Sequence, residues 1–369
     1  MTNDNLSAAR TAKKDEFYTQ YHDIEREVEA YLDYDSNVFR DKTVLLPCDD
    51  PEWSNFTRYF AQNFERLGLR KLISTSYAYE SKKFKGPIQL TLFETEAPQY
   101  DASKTKTHGK IFVLTKDVTG DGRINIDDLE WKYLEGDGDF RSEEVTKLRN
   151  EADIIVTNPP FSLFREFMAW IIEDSKKFII IGHQNAISYK EVFPLIKNNK
   201  IWLGKGFKGG AAHFISNYQD YATASDHQEG MIRVSGVVWF TNVDHGRRHQ
   251  PLQLMTMEDN LKYSKHKEIK GKTSYYHYDN YDAIEVPYTD AIPSDYNEMM
   301  AVPLSFLDKY CPEQFEILGV TQRNDDPYKL KKYSVEQYPN ANDLNARGVI
   351  MVNGIPKSMY ARILIRKKQ

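Results

Sequence analysis

Short apolar runs alternate with amphipathic stretches along the first half of the chain. Residues 42–47, KTVLLP, read as a buried strand. The stretch WSNFTRYFAQNFERL (53–67) places Phe56, Tyr59, Phe60 and Phe64 on one side of a helix, and RKLISTSY (70–77) reads as the next strand. Further on, ADIIVT (152–157) is again apolar. It precedes a helix whose buried stripe is Leu163, Phe164, Phe167, Met168 and Ile171, and then the strand KKFIIIG (176–182). Strands spaced by helices predict an α/β domain with a parallel sheet covered on both faces. In such sheets ligands collect beyond the carboxyl ends of the strands, so the informative loops are those that follow strands.

The second half is poorer in helical periodicity. It holds strand-like stretches such as IRVSGVVWFTNV (232–243) and a hairpin, GVIMVNGIPKSMYARILI (348–365), whose turn is Asn353-Gly354. At 369 residues with 40% hydrophobic content, about two domains with ordinary cores are expected. No run of ~18 apolar residues and no secretory leader is seen, which predicts a soluble, cytoplasmic protein without a membrane partner. Cys48 and Cys311, the two cysteines, make neither a disulfide framework nor a zinc site.

A net charge of −5 argues against a protein that coats nucleic acid with a uniformly basic surface. Local basic faces remain. Lys262, Lys265, Lys267, Lys270 and Lys272 crowd residues 261–272, Arg247, Arg248 and His249 form a second cluster, Lys205 and Lys208 a third, and Arg366 to Lys368 close the chain. Each run reads either as a solvated loop or as a phosphate contact.

Three loops carry unusual chemistry. PCDDPEWSNF (47–56) sets Asp49 and Asp50 at a strand's mouth, with no glycine until Gly68. LEGDGDF (134–140) combines glycines that permit tight backbone with Asp137 and Asp139 as acceptors. Asn158-Pro159-Pro160-Phe161 follows the DIIVT strand, and its prolines fix their own φ and push the preceding residues to extended backbone. Singly, these are a turn, a loop and a strand cap. Together they suit methyl transfer to the exocyclic amine of adenine. The Asn158 side-chain oxygen and the Pro159 carbonyl supply two acceptors for the amino hydrogens, and Phe161 stacks on the base. Orientation of this kind lowers a barrier by ~7–11 kcal/mol. Access to that amine requires the base to leave the duplex stack.

The ordered set KKDEFYTQ (13–20), LLPCDDPEWSNF (45–56), LEGDGDFRSEE (134–144) and ADIIVTNPPFSLFRE (152–166) resembles S-adenosylmethionine-dependent, adenine-specific DNA methyltransferases, and more narrowly the EcoRI modification methylase family. VPLSFLDKYCPEQFEILG (302–319) and MYARILIR (359–366) extend the likeness over nearly the whole chain. The resemblance implies a Rossmann-like methyltransferase sheet in residues 1–204, interrupted by an insertion at about 80–130, and a target-recognition region over 205–369. It implies S-adenosylmethionine as cofactor, bound by Phe17, Tyr18, Thr19, Pro47, Asp49, Asp50, Asp139 and Phe140, with Asn158 to Phe161 as the catalytic elbow. Gln20 stands where a proline is usual in that family, and the glycine-rich turn is replaced by PCDDP. Double-stranded DNA is the implied partner, met by a monomer at Lys205, Lys208, Arg247, Arg248, Lys262, Lys265 and Lys267. The family's place in restriction systems makes a cognate endonuclease a partner to look for. Methylation of RNA or of a protein glutamine, which uses similar elbows, and a non-catalytic DNA-binding relative are the alternatives.

One motif stands apart. DVTGDGRINIDD (117–128) approximates a calcium loop with Asp117, Asp121, Asn125 and Asp128 at liganding positions, but Asp128 replaces the bidentate glutamate and a strand-like KIFVL precedes it where a helix is required. An Asp-Gly turn within an insertion is the favoured reading.

Overall fold

The computed structural model describes residues 19–51, 54–78, 98–116, 124, 131–207, 211–215, 231–322 and 326–368. Its contacts divide the chain into two compact units, Met1–Gln184 with Leu203–His245, and Asn185–Trp202 with Gly246–Gln369. This division differs from the 204/205 boundary expected from the sequence. Strand-like residues 211–215 and 231–241 go with the first unit, where Val237–Thr241 pairs with Lys177–His183, and 185–202 go with the second.

The first unit is built on one large sheet. Its strands in chain order are β1 (Thr43–Leu46), β2 (Lys71–Thr75), β3 (Lys110–Leu114), β4 (Trp131–Tyr133), β5 (Ile154–Thr157) and β6 (Lys177–His183), then β7 (Trp202–Leu203), with β10 (Val237–Thr241) last; β8 (Ala211–Ile215) and β9 (Met231–Ser235) form a separate pair. The order across the sheet is β4-β3-β2-β1-β5-β6-β10-β7. The four central strands β2, β1, β5 and β6 are parallel, whereas β3 runs antiparallel to β2 and β10 antiparallel to β6. Every residue of β1 and β5 is buried, the pattern of strands covered on both faces.

Helices α1 (Tyr21–Leu32), α2 (Asn55–Gln62), α3 (Glu143–Glu151) and α4 (Phe164–Glu173) belong to this unit. The stripe expected on α2 is buried at Phe56, Tyr59 and Phe60, and Phe64 is buried at the start of the short helix Phe64–Leu67 that follows. On α4, Phe164, Phe167, Met168 and Ile171 are buried as expected, Leu163 is half-buried, and Trp170 joins the stripe. KIFVL forms β3, so part of the insertion extends the sheet past β2.

The second unit is built on the sheet β11-β12-β16-β13, with β11 (Ile284–Glu285), β12 (Met300–Pro303), β13 (Phe315–Val320) and β16 (Arg362–Lys367). The expected hairpin is present as β14 (Val349–Val352) and β15 (Ile355–Ser358). Asn353 and Gly354 both take positive φ, 52° and 78°, as a two-residue turn of this hand requires. No helix among the described residues is long and apolar enough to cross a membrane.

Candidate active site

Chain direction fixes where a site can form in the first unit. From β1 the chain steps to β2 on one side, while β5 and β6 continue on the other, so the order reverses between β1 and β5. Such a reversal opens a crevice beyond the carboxyl ends of the strands, where ligands bind. β1 and β5 are parallel neighbours paired at Leu45 and Ile155. The loops Pro47–Asp50 and Asn158–Phe161 therefore leave the sheet side by side.

Asp49 ties these exits together. It is 5% exposed, and its two carboxyl oxygens accept from Ser54 Oγ and Thr157 Oγ1, each at 2.6 Å. Its backbone is fixed as well, with its N–H donating to Thr75 O at 3.0 Å and its carbonyl accepting from Ser74 Oγ at 2.5 Å. Burial pushes the Asp49 carboxyl from its ordinary 3.8 up to about 7, against the pull of the Ser54 and Thr157 hydrogen bonds and with the help of the Asp50 charge. Ser54 is at the same time the N-cap of α2, accepting from Phe56 N at 3.0 Å. Asp50 is half-buried, and its carbonyl accepts from Ser54 N at 3.0 Å. Pro47 is buried, and its carbonyl accepts from Thr75 Oγ1 at 3.2 Å.

The elbow follows directly from Thr157. Asn158 is half-buried, with Oδ1 enclosed, and its Nδ2 donates to Thr19 Oγ1 at 3.4 Å. Thr19 is itself buried, and its carbonyl accepts from Asn55 Nδ2 at 2.8 Å. Thus the segment just before α1 lies against the elbow. Gln20 reaches instead to the His213 carbonyl, Nε2 donating at 2.7 Å. Pro159 is buried, Pro160 has φ −55° and ψ 124°, and Phe161 is half-buried against the core as it opens a single 3-10 turn ahead of α4.

The loop 136–140 packs against the end of β2. Ala78 N donates to Asp137 O at 2.7 Å, and Gly109 N to Gly136 O at 2.9 Å. Gly138 has φ +78°, and a Cβ there would stand 2.1 Å from the Ser76 carbonyl oxygen, so only glycine fits. Asp139 is gripped by Arg141, whose Nε donates to Oδ1 at 2.9 Å and Nη2 to Oδ2 at 2.7 Å, while Nη1 of the same arginine donates to Glu166 at 2.6 Å. Burial opposes ionisation of Asp139, yet the Arg141 hydrogen bonds and charge hold its carboxyl below the usual range. Phe140 is buried in an aromatic cluster with Phe167 and Trp170 at centroid distances of 5.0 and 5.6 Å.

Thr19, Pro47, Asp49, Asp50 and Asn158 to Phe161 are therefore gathered at one end of the sheet, and Asp139 and Phe140 lie in the loop that packs on β2. Phe17, Tyr18, Lys208 and the calcium-loop positions Asp117, Asp121, Asn125 and Asp128 lie outside the described residues. Thr157, Ser54, Asn55 and Arg141 were not singled out from the sequence. Ser-Asn before an amphipathic run does signal a helix start, but nothing local connects it to Asp49.

The basic candidates are scattered. In the first unit, Lys205 is half-buried, and its backbone N–H donates to the buried Glu27 carboxylate at 3.0 Å. In the second, Lys262, Lys265 and Lys267 are exposed, Lys265 pairing with Asp290 at 2.9 Å, and Arg247 is half-buried. Arg248 is only 7% exposed, its guanidinium 3.7 Å above the Trp202 ring and hydrogen-bonded to Asn199 Oδ1, so it is a packing residue rather than a surface cation.

Comparison with known proteins gives a consistent result. A family model described as "Adenine-specific methyltransferase EcoRI" matches residues 5–368. The Type II methyltransferase M.EcoRI of Escherichia coli is 39% identical over 373 positions, covering 100% of this chain and 98% of its own. Type II methyltransferase M.MgeORF184P of Mycoplasma genitalium is 32% identical, with 99% of each covered, and M.MpnI of Mycoplasma pneumoniae is 31% identical, with 99% and 98% covered. No solved structure matches the chain.

Proposed function

Because the chain belongs to the EcoRI family of adenine-specific methyltransferases, we propose that it methylates the exocyclic amine of adenine within a specific sequence of double-stranded DNA, with S-adenosylmethionine as donor. The observation that carries this reading is the Asn158-Pro159-Pro160-Phe161 elbow at the carboxyl end of β5, beside the reversal in strand order and in contact with Thr19. A donor bound at this reversal would meet the loops that follow β1 and β5, which leave the sheet side by side, with the enclosed Asn158 Oδ1 between them and Thr19. S-adenosylmethionine supplies an electrophilic methyl group on a sulfonium. Thr19, Pro47, Asp50 and the 137–140 loop are the parts of this chain proposed to hold it, with Phe17 and Tyr18 ahead of them.

The rest of the chemistry is positioning. Asn158 Oδ1 and the Pro159 carbonyl accept the two amino hydrogens of an extruded adenine, which directs the nitrogen lone pair toward the methyl group. Phe161 offers a face for the base to stack on. Attack by the amine would break the sulfur–methyl bond with departure of the thioether, and the ammonium so formed is acidic enough to give its proton to water, so no strong base is needed.

We assign target recognition to the second unit. Exposed Lys262, Lys265 and Lys267, with Arg247, are its proposed phosphate contacts, and Lys205 and Lys208 are proposed contacts of the first unit. Action as a monomer in the cytoplasm, in the company of a cognate endonuclease, completes the proposal. The test is incubation with labelled S-adenosylmethionine and unmodified DNA, followed by sequencing that detects modified adenines. Label at adenines of one recurring sequence is expected. Label confined to RNA or protein would overturn the reading.

A further inference from the structure

The two strand exits at the reversal are joined by a closed ring of contacts, and we propose that Asp49, acting through Thr157 and Ser54, is a positioning residue for the Asn158 elbow rather than a contact of the methyl donor. This rests on the methyltransferase reading above. Around the ring, Asp49 Oδ2 accepts from Thr157 Oγ1 at 2.6 Å, Thr157 is bonded in sequence to Asn158, and Asn158 Nδ2 meets Thr19 Oγ1 at 3.4 Å. The Thr19 carbonyl then takes Asn55 Nδ2 at 2.8 Å, Asn55 follows Ser54 in sequence, and Ser54 Oγ returns to Asp49 Oδ1 at 2.6 Å. One carboxyl thereby sets the elbow's path from below, through the residue preceding Asn158. From above, it acts through the helix start that holds Thr19.

The chemistry of Asp49 fits this role better than donor binding. Both of its oxygens are already occupied by protein hydroxyls, and Thr157 and Asp49 are 0% and 5% exposed. A carboxyl in so dry a place is unfavourable unless it is hydrogen-bonded. Apolar side chains would fill the same space without that penalty. What they would not do is fix the direction in which β5 hands the chain to Asn158, which two short hydrogen bonds do. Thr157 is β-branched with a restricted χ1, so its hydroxyl holds the backbone beneath the elbow at one setting.

The experiment measures steady-state methylation of unmodified plasmid DNA and calorimetric binding of S-adenosylmethionine, for the full chain and three variants. Thr157→Val keeps shape and removes the donor; kcat is expected to fall about tenfold or more, the scale of one lost preorganised contact, while donor Kd stays within about twofold. Thr157→Ser restores the hydroxyl and is expected to recover most of kcat. Ser54→Ala, which leaves β5 untouched, is expected to give the same division between kcat and Kd. Wild-type kcat in folded Thr157→Val or in folded Ser54→Ala overturns the proposal, as does a donor Kd that rises in step with the loss of kcat. If Thr157→Val does not fold, the Ser54→Ala and Thr157→Ser results decide. A wild-type protein that binds the donor yet methylates no DNA defeats the methyltransferase reading itself, an outcome distinct from a loss confined to the variants.

Discussion

Asp49→Asn makes the burial of this carboxyl measurable. In the folded protein the group titrates at about 7 against an ordinary 3.8, so the folded state disfavours its charged form. The sign follows from linkage. Below 3.8 both states hold the proton and no penalty exists. Between 3.8 and about 7 the unfolded chain releases the proton while the folded one keeps it, so stability falls with rising pH, and above about 7 the loss is constant. The full difference is of order 4 kcal/mol, of which ~2–3 kcal/mol develops between about pH 5 and pH 8. Asparagine imitates the protonated acid: its oxygen accepts from one hydroxyl, and its amide donates to the other, which turns to accept. The variant is thus expected to gain on wild type steadily across that interval. Urea denaturation at several pH values, with the m-value checked for constancy, gives the comparison. A wild-type-to-variant difference that stays flat between pH 5 and pH 8 would refute the reasoning, because Asp49 would then not be changing its charge there.

Asn158→Ala is expected to lower turnover roughly a hundredfold or more with little change in donor affinity, and a near wild-type rate in the methylation assay would give Asn158 another job. Asp139→Ala is expected to weaken S-adenosylmethionine binding by about 1–3 kcal/mol in calorimetry; unchanged affinity would pass this donor contact to Asp137. Neutralising Lys265 and Lys267 together is expected to weaken DNA binding about equally on all sequences and to shrink the salt slope by about one per lost phosphate contact, and an unchanged slope would leave this run a solvated loop. Glu27→Ala strands the Lys205 and Gly206 N–H groups and the Tyr31 hydroxyl that its buried carboxylate now accepts, so a loss of about 3 kcal/mol or more is expected on denaturation, and a loss under ~1 kcal/mol would contradict it.

What could be read from the sequence was what depends on near neighbours. TVLL and IIVT are strands because every residue in them is apolar or end-capping, and Asn353-Gly354 makes its turn by its own conformational preferences. The elbow was legible for the same reason, since its stiffness is local. The partnership of Asp49 with Thr157 was not, because it depends on β1 and β5 being neighbours, and strand order is absent from a one-dimensional pattern. Arg248 misled for a related reason. A basic tripeptide looks like a surface cluster, yet one of its members turns inward onto Trp202, which is 46 residues earlier in the chain. Asp139 was legible as an acceptor, but not as one already held by Arg141 two residues on.

The position of β10 bears on how the protein can be made. The edge of β6 is completed antiparallel by Val237–Thr241, after the chain has run through residues that belong to the other unit. During synthesis the edge of β6 that faces β10 stays unpaired until more than fifty further residues have been added. An exposed apolar strand edge of this kind invites pairing with other chains, and such long-range closure is slow. A fragment stopped at residue 204 would therefore carry the elbow and the strand exits intact in sequence, yet emerge with an open sheet. Expression of the whole chain, at a rate that lets the late strand arrive before neighbouring molecules do, is the condition that favours closure of the first unit's sheet.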